Sequence, residues 1–196
     1  MYKSPLFWSI VLLILAGFVT AFAPLEKTLG SNARIVYLHG AWVWVGLVVF
    51  AAAALVGLVA ILKRSQSINS WSRALGRTAM VFWITFLPMS LYLMSANWNG
   101  LFLDEPRWRI PFSFAVTGLL LQTGVSFLGA NWASVANIGF AVALFSAMQG
   151  MDEVLHPVSP ILNSNATSIQ VFFILILILL LLTATQISRV WYSLER

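Results

Sequence analysis

The chain has 196 residues, of which 60% are hydrophobic and only 9% are charged, and its mean hydropathy is +0.90. This balance excludes an ordinary soluble globular domain and predicts an integral membrane protein with membrane lipid as its surroundings. The net charge of +5 comes from 11 basic residues spread among apolar segments, so it predicts no nucleic-acid partner. Because the chain has no cysteine, it can hold no disulfide, thiolate-bound metal, iron–sulfur cluster or covalently attached haem.

Six apolar stretches are long enough to cross a bilayer, for which about 20 residues are needed. They predict an all-α integral membrane bundle of about six transmembrane helices, a single domain over residues 1–196 that is multi-pass in the cytoplasmic or an equivalent energy-transducing membrane. The first stretch lacks a clear small-residue cleavage site, so we interpret it as a retained helix and not a signal peptide. The stretches lie at residues 5–24, 35–62, 78–96, 111–130, 132–149 and 168–188.

The positions of Lys and Arg predict the orientation of the bundle, because cytoplasmic loops carry an excess of these residues. Lys63, Arg64, Arg73 and Arg77 are expected to share one loop between the second and third stretches, and that loop is predicted to be cytoplasmic. Six crossings then place both chain termini in the cytoplasm and five of the six acidic residues outside. The junction at residues 129–132 contains no charge, and a continuous helix there would invert the topology that follows.

The two histidines, His39 and His156, are both expected at the outer face of the membrane. His39 is predicted about one turn into the second helix, with Trp42 on its face, and His156 lies in an outer loop. Two imidazoles can close the axial positions of a haem iron, and aromatic side chains offer apolar faces to the macrocycle. The residues alone leave open that each histidine only forms a hydrogen bond or lies in solvent, and that Trp42 only packs.

The loop predicted at residues 97–110, between the third and fourth helices, combines aromatic and charged side chains. Arg107, together with Arg34 at the start of the second helix, can pair with haem propionates because a guanidinium group matches the geometry of a carboxylate. Contact with lipid headgroups or plain solvation explains these two arginines equally well. The aromatic candidates for contact with haem in this loop are Trp98, Phe102 and Trp108.

Three short stretches, taken in order, resemble a known family. They are residues 34–39 followed by Ala41-Trp42, the loop with Asp104 and Pro106-Arg107, and Leu155-His156 before the last helix. The resemblance is to the cytochrome c assembly family of haem-handling membrane proteins, in which a tryptophan-rich outer loop, the WWD domain, holds haem between two histidines. It implies that His39 and His156 bind haem b non-covalently. It also implies transfer to an extracytoplasmic haem chaperone or cytochrome.

The chain departs from the family pattern at two places. The segment from His39 to Trp42 lacks the proline-containing spacer, and the dense run of tryptophans is reduced to Trp98, Phe102 and Trp108, so residues 97–110 form an altered WWD-like segment. The leading hypothesis is a membrane protein that handles or delivers haem for cytochrome c assembly. The alternative is a haem b-containing or structural membrane-anchor subunit of a respiratory electron-transfer complex, with a quinone and an outer redox subunit as partners. Neither hypothesis assigns a catalytic residue to the chain.

Overall fold

The computed structural model describes residues 4–149, 161–162 and 164–195 of the chain. Within these residues the chain forms six α-helices, and the extended pairing found there is one isolated bridge between Glu26 and Gly30. The predicted all-α class is therefore confirmed. The helices are α1 (Pro5–Ala21), α2 (Asn32–Lys63), α3 (Gln66–Trp98), α4 (Pro106–Ser126), α5 (Ala130–Gln149) and α6 (Thr167–Ser193).

Local sequence signals explain where several helices begin and end. α1 begins at Pro5, directly after Ser4, whose hydroxyl accepts a hydrogen bond from the backbone N–H of Phe7. α4 begins at Pro106, where the missing N–H of proline costs no helical hydrogen bond. α3 stops before Asn99, which has a φ of 56°, a left-handed conformation that asparagine tolerates better than most residues.

α4 and α5 are separate helices joined by the short turn at residues 127–129. Gly129 has a φ of +98°, which residues with a side chain rarely adopt, and this conformation lets the chain reverse before α5. The two helices fold back on each other, because Gln122 Nε2 of α4 donates a hydrogen bond of 2.7 Å to Asn137 Oδ1 of α5. The expectation of a tight turn rather than one continuous helix is confirmed.

α3 begins well before its apolar stretch. It starts at Gln66, so only Arg64 and Ser65 separate it from α2. The expectation that Arg73 and Arg77 lie in the loop between the second and third helices is therefore wrong, since both are in the first half of α3. Hydropathy indicates which part of a helix is suited to lipid, but it does not mark where the helix ends. A helix can extend beyond its apolar part when its polar side chains are solvated or paired.

Four helices, α2, α3, α5 and α6, are long and apolar enough to cross a membrane by length and composition. α1 is apolar but has 17 residues, or about 26 Å of helix, slightly less than the ~30 Å of a hydrocarbon core. α4 has 21 residues but carries Arg107 and Arg109 near its start, and it is not one of the four. Large apolar side chains such as Leu55, Leu62 and Leu120 are exposed along the helices, as expected where lipid replaces water.

α2 lies at the centre of the bundle and contacts α1, α3, α5 and α6. α4 packs on the outside against α3 and α5, and α1 packs mainly against α6. α2 and α3 run antiparallel, because Asn32 Nδ2 at the start of α2 donates to Asn97 Oδ1 near the end of α3. The core between the helices is rich in aromatic rings, and Phe50, Phe82, Trp83 and Phe173 are almost completely buried.

The connectivity gives the bundle two ends. The histidine end is where α2, α4 and α6 begin, and it includes His39 and the loop at residues 99–105. The arginine end is the opposite one, where α2, α4 and α6 finish. Among the described residues the histidine end has four basic and three acidic side chains, Lys27, Arg34, Arg107 and Arg109 with Glu26, Asp104 and Glu105. The arginine end has five basic side chains and one carboxylate, Lys63, Arg64, Arg73, Arg77 and Arg189 with Glu195.

Candidate functional site

His39 lies at the histidine end, about two turns into α2 instead of the expected one turn. Its imidazole is half-buried and meets the ring of Phe86 on α3 edge to face, with 5.8 Å between the ring centroids and an angle of 65°. The Nε2 atom is screened from solvent. A histidine at this depth is costly in a membrane unless a partner or ligand engages it, so its position is that of a functional candidate.

Trp42 is one turn further along α2 and points toward the same neighbouring helix, as its spacing from His39 predicts. Its indole Nε1 donates a hydrogen bond of 2.9 Å to Thr85 Oγ1, and its ring lies 4.9 Å from that of Phe82. Trp44, by contrast, is 40% exposed and faces away. Trp42 therefore has a structural role between α2 and α3, whatever else it contacts.

A continuous set of ring contacts connects His39 to α4. Phe86, which contacts His39, lies 4.9 Å from the ring of Trp83. Trp83 is completely buried, and its indole Nε1 donates a hydrogen bond of 3.1 Å to the backbone carbonyl of Pro111 in α4. The interior below His39 is thus lined by aromatic rings, each of which contacts at least one neighbouring group.

The predicted aromatic loop is shorter than expected, since only residues 99–105 lie between α3 and α4. Trp98 is the last residue of α3 and is half-buried, while Phe102 in the loop is 41% exposed. A shallow cavity of about 360 Å³ is lined by residues 101–105, near the lower limit of about 300 Å³ for small-molecule sites. Trp108 is on the first turn of α4 and stacks on Phe112, with 4.9 Å between centroids and an angle of 10°.

Two polar atoms at the start of α4 are buried without a hydrogen-bond partner among the described residues. They are the Oε1 atom of Glu105 and the indole Nε1 of Trp108. A buried polar atom that makes no hydrogen bond costs about 1–3 kcal/mol, so such atoms are rare unless a ligand or water satisfies them. The first turn of α4 therefore offers one donor and one acceptor to a ligand at the histidine end.

Arg34 and Glu26 order the connection between α1 and α2. The Nε of Arg34 donates a hydrogen bond of 2.8 Å to the carbonyl of Ala23, while Glu26 Oε2 accepts bonds of 2.8 Å each from the N–H groups of Thr28 and Leu29. Because the backbone N–H of Leu29 and then that of Thr28 favour the charged carboxylate, the pKa of Glu26 lies below its usual value. The terminal nitrogens of Arg34 have no hydrogen-bond partner among the described residues.

The predicted partner of His39, His156, lies outside the described residues. Ile161, the first described residue after it, packs beside Gly40, so close that a Cβ added to Gly40 would lie 3.3 Å from Ile161 Cδ1. The same added Cβ would lie 3.4 Å from the ring of Phe173 on α6. The chain thus returns to the neighbour of His39 within five residues of His156. Arg107, the remaining candidate, is half-buried on the first turn of α4.

The described residues contain no group of three or more His, Asp or Glu side chains that could enclose a bare metal ion. A haem iron needs fewer protein ligands, since the porphyrin supplies four nitrogens and the protein supplies one or two axial groups. Among the described residues, the histidine end holds one imidazole, one buried indole N–H and the arginines.

A buried polar network lies in the half of the bundle nearest the arginine end, and it was not predicted from the sequence. Asn137 Nδ2 of α5 donates to the carbonyl and the hydroxyl of Ser72 on α3, at 2.8 and 3.0 Å, and Ser72 donates to the carbonyl of Ala53 on α2 at 2.8 Å. Ser134 donates to Asn69 Oδ1. The three-residue spacing of Asn131, Ser134 and Asn137, and of Asn69 and Ser72, could have indicated two facing polar helix stripes.

The expected family is not established by similarity to known proteins. A comparison of the chain with models of known protein families found no match, and a comparison with curated proteins found none. The resemblance to the cytochrome c assembly family therefore stays a prediction from three short stretches of sequence.

Proposed function

We propose that the chain is a multi-pass membrane protein that binds haem b non-covalently at the outer membrane face and handles or delivers it for cytochrome c assembly. His39 and His156 are the proposed axial ligands of the iron. The observation that carries this proposal is the position of His39, half-buried against Phe86 at the same end of the bundle as the aromatic segment from Trp98 to Trp108.

The proposal includes six membrane crossings with the arginine end in the cytoplasm. The excess of basic side chains at that end, five against one carboxylate among the described residues, supports this orientation through the positive-inside rule. α1 is short but can cross a bilayer that thins slightly around it, or extend its reach through the following residues. The histidine end then faces the outer compartment.

The depth of His39 suits a ligand at the membrane surface. It lies seven residues after Asn32, or about 10 Å along a helix that is itself about 48 Å long. This helix exceeds the ~30 Å hydrocarbon core, so its first turns lie near the outer headgroups. His39 would therefore hold a haem near the outer headgroups, where both apolar side chains and water are close by.

The connection to α6 supports His156 as the second ligand. Ile161 lies against Gly40, the residue next to His39, and five residues of extended chain reach at most about 17 Å. The length of this connection therefore allows His156 to reach a ligand bound at His39. The two imidazoles would supply two nitrogen ligands to the haem iron.

Polar groups suited to haem propionates lie at the same end. Among the described residues, Arg34 forms a hydrogen bond only through its Nε, to the carbonyl of Ala23, so its two terminal nitrogens are proposed to bind a carboxylate. The buried Nε1 of Trp108 is a further donor without an acceptor among the described residues. With Arg107 on the same first turn of α4, these groups can hold the polar edge of a haem while the aromatic side chains contact its face.

The work of the residues on this proposal is binding and release, without a covalent step on the chain. The imidazoles hold the iron by coordination, the arginines neutralise the propionates, and the aromatic rings exclude water from the macrocycle. For delivery, His39 or His156 would have to release the iron to a ligand of the receiving protein. Haem bound through exchangeable ligands at the bundle end can be passed on, whereas haem enclosed between helices is retained.

The first test is the absorption spectrum of the full chain, purified in detergent after expression with haem supply, oxidised and then reduced with dithionite. We expect a b-type spectrum that is lost in His39→Ala and in His156→Ala and is restored by added imidazole. Trp44→Ala is the matched control, since Trp44 is on the same helix but faces away, and it should keep its haem. A folded, haem-supplied wild type without haem would overturn the proposal.

Delivery and permanent retention are separated by a second measurement. The haem-loaded chain is mixed with an apo-protein that binds haem more tightly, and the spectrum of the acceptor is followed over time. Transfer of haem from the chain to the acceptor supports haem handling. Haem that stays bound through repeated reduction and oxidation contradicts delivery and supports the alternative of a haem b subunit of an electron-transfer complex.

A further inference from the structure

We infer that the arginine end binds the phosphate group of an anionic phospholipid, through Arg73, Arg77 and Trp191 where α3, α4 and α6 meet. This site is at the opposite end from the proposed haem site; it does not depend on haem binding and rests only on the membrane orientation proposed above. We call these three residues, with Glu195, the arginine cluster.

One carboxylate in the arginine cluster serves two guanidinium groups. Glu195 Oε1 lies 3.0 Å from Arg77 Nη1 and 3.4 Å from Arg73 Nη1, and the Glu195 side chain is only 10% exposed. The guanidinium of Arg77 also lies over the ring of Trp191, 5.4 Å from its centroid. The side chains of the arginine cluster therefore carry a net charge of +1.

The end of α4 offsets part of this excess. Arg73 Nη2 donates a hydrogen bond of 3.3 Å to the carbonyl of Val125 in the last turn of α4, where the helix dipole favours a cation. The dipole is worth about half an elementary charge, less than one guanidinium group. Among the described residues, the partners of Arg77 are Glu195 and Trp191, and it forms no hydrogen bond to this helix end.

The arginine cluster also has more donors than acceptors. The Nε of Arg73 and the Nε1 of Trp191 are buried without a hydrogen-bond partner among the described residues. An arginine has about five N–H bonds and a tryptophan side chain has one, so the two guanidinium groups and the indole have about eleven N–H donors. Their acceptors among the described residues are Glu195 and the carbonyl of Val125. A ligand that suits this surplus brings several acceptor oxygens and a negative charge, as a phosphate does.

The location of the arginine cluster favours a phosphate that belongs to a lipid. Arg77 directly precedes Thr78, where the apolar stretch of α3 begins, so its side chain lies at the border between headgroups and hydrocarbon. It is also 25% exposed, which leaves a path from the side. Tryptophan is enriched at this depth, and basic pockets between helices on the cytoplasmic side are known to hold anionic headgroups.

The test measures lipid binding to the full chain by native mass spectrometry from detergent. The probes are phosphatidylglycerol and phosphatidylcholine with identical acyl chains, and inorganic phosphate as a competitor. We expect phosphatidylglycerol to bind at least about tenfold more tightly than phosphatidylcholine, because both carry a phosphodiester but the quaternary ammonium of choline cancels its charge and is repelled by the two arginines. Equal affinity for the two lipids would overturn the inference. Competition by millimolar inorganic phosphate would keep the phosphate site but overturn the lipid as its source.

Arg77→Gln is compared with Arg189→Gln. The second variant removes the same charge from an exposed position on α6, at the same end of the bundle. We expect Arg77→Gln to weaken phosphatidylglycerol binding about tenfold and Arg189→Gln to change it less than about threefold. Equal weakening in both would show diffuse attraction to a basic surface and overturn a defined site. Trp191→Phe, which removes only one donor, provides an intermediate loss if Arg77→Gln does not fold.

Glu195→Gln should change the affinity for phosphatidylglycerol in the opposite direction to Arg77→Gln. Without the carboxylate, both guanidinium groups are free for the phosphate, so phosphatidylglycerol should bind more tightly and should raise the unfolding temperature more than in the wild type. A cluster with only a structural role would lose stability in this variant and would gain no lipid affinity. That outcome would contradict the inference even if every variant folds.

Discussion

Gly76 lies directly against the side chain of Asn137. A Cβ added to Gly76 would come within 2.5 Å of Asn137 Oδ1 and 2.8 Å of its Nδ2. The absence of a side chain on α3 thus makes room for a buried amide on α5, which in turn bonds Ser72 and accepts from Gln122. The close approach of two helices around a polar pair is a common way to join helices where lipid provides no hydrophobic drive.

Replacing Gly76 with Ala should destabilise the protein by about 1–3 kcal/mol, because the new methyl group displaces the Asn137 amide from a tightly packed site. Gly139→Ala on α5 is the matched control, since nothing lies within 4 Å of its added Cβ. It should be neutral or stabilising by about 0.5–1 kcal/mol through helix propensity. Unfolding in mixed micelles of mild detergent and dodecyl sulfate measures both, and equal effects would contradict the contact.

Asn137→Ala should remove most of the cost of Gly76→Ala. In the single variant Asn137→Ala we expect a loss of about 1–2 kcal/mol, because Ser72 and Gln122 lose their shared partner. In the double variant the alanine at position 76 meets no amide, so the two losses should fall short of additive by about 1 kcal/mol or more. Strict additivity in the same unfolding assay would show that the clash lies elsewhere.

Trp42 and Trp108 should differ in what their replacement by Phe costs. Trp42 already donates to Thr85, so Trp42→Phe should lower stability by about 1 kcal/mol and leave haem in place. Trp108 has a buried N–H without an acceptor among the described residues, so Trp108→Phe should weaken haem retention more than it changes stability. Haem content per folded protein separates the two, and a greater haem loss in Trp42→Phe would contradict the proposed propionate contacts.

The turn between α1 and α2 should loosen on acidification. The N–H groups of Leu29 and Thr28 lower the pKa of Glu26, so the bonds are fully present above its usual value of 4.5 and are lost as the pH falls through the lower, folded value. Hydrogen exchange of the Thr28 and Leu29 amides, corrected for intrinsic rates, should accelerate over that range. Glu26→Gln should remove this dependence on pH, and an unchanged profile in the variant would disprove the assignment.

Sequence reasoning found the helices but not all of their ends. The class, the separate α4 and α5, and the shared face of His39 and Trp42 are local properties that follow from apolar length, Gly129 and helical spacing. The start of α3 was missed because its first turns are polar, so the helix begins before the hydropathy rises. His39 stayed a candidate with open alternatives, since a single sequence does not say which ring will lie beside an imidazole.

By itself the sequence determined that this protein is helical, suited to a membrane, and asymmetric in charge between its two ends, because composition, apolar length and the order of charged residues are properties of the chain alone. Only the tertiary structure decided that α1 packs on α6, that Asn137 bonds Ser72, and that Glu195 joins two arginines more than a hundred residues earlier. In helices that are apolar on most sides, hydrophobicity does not select which faces meet. Shape and buried hydrogen bonds make that selection, and both arise only when the helices are together.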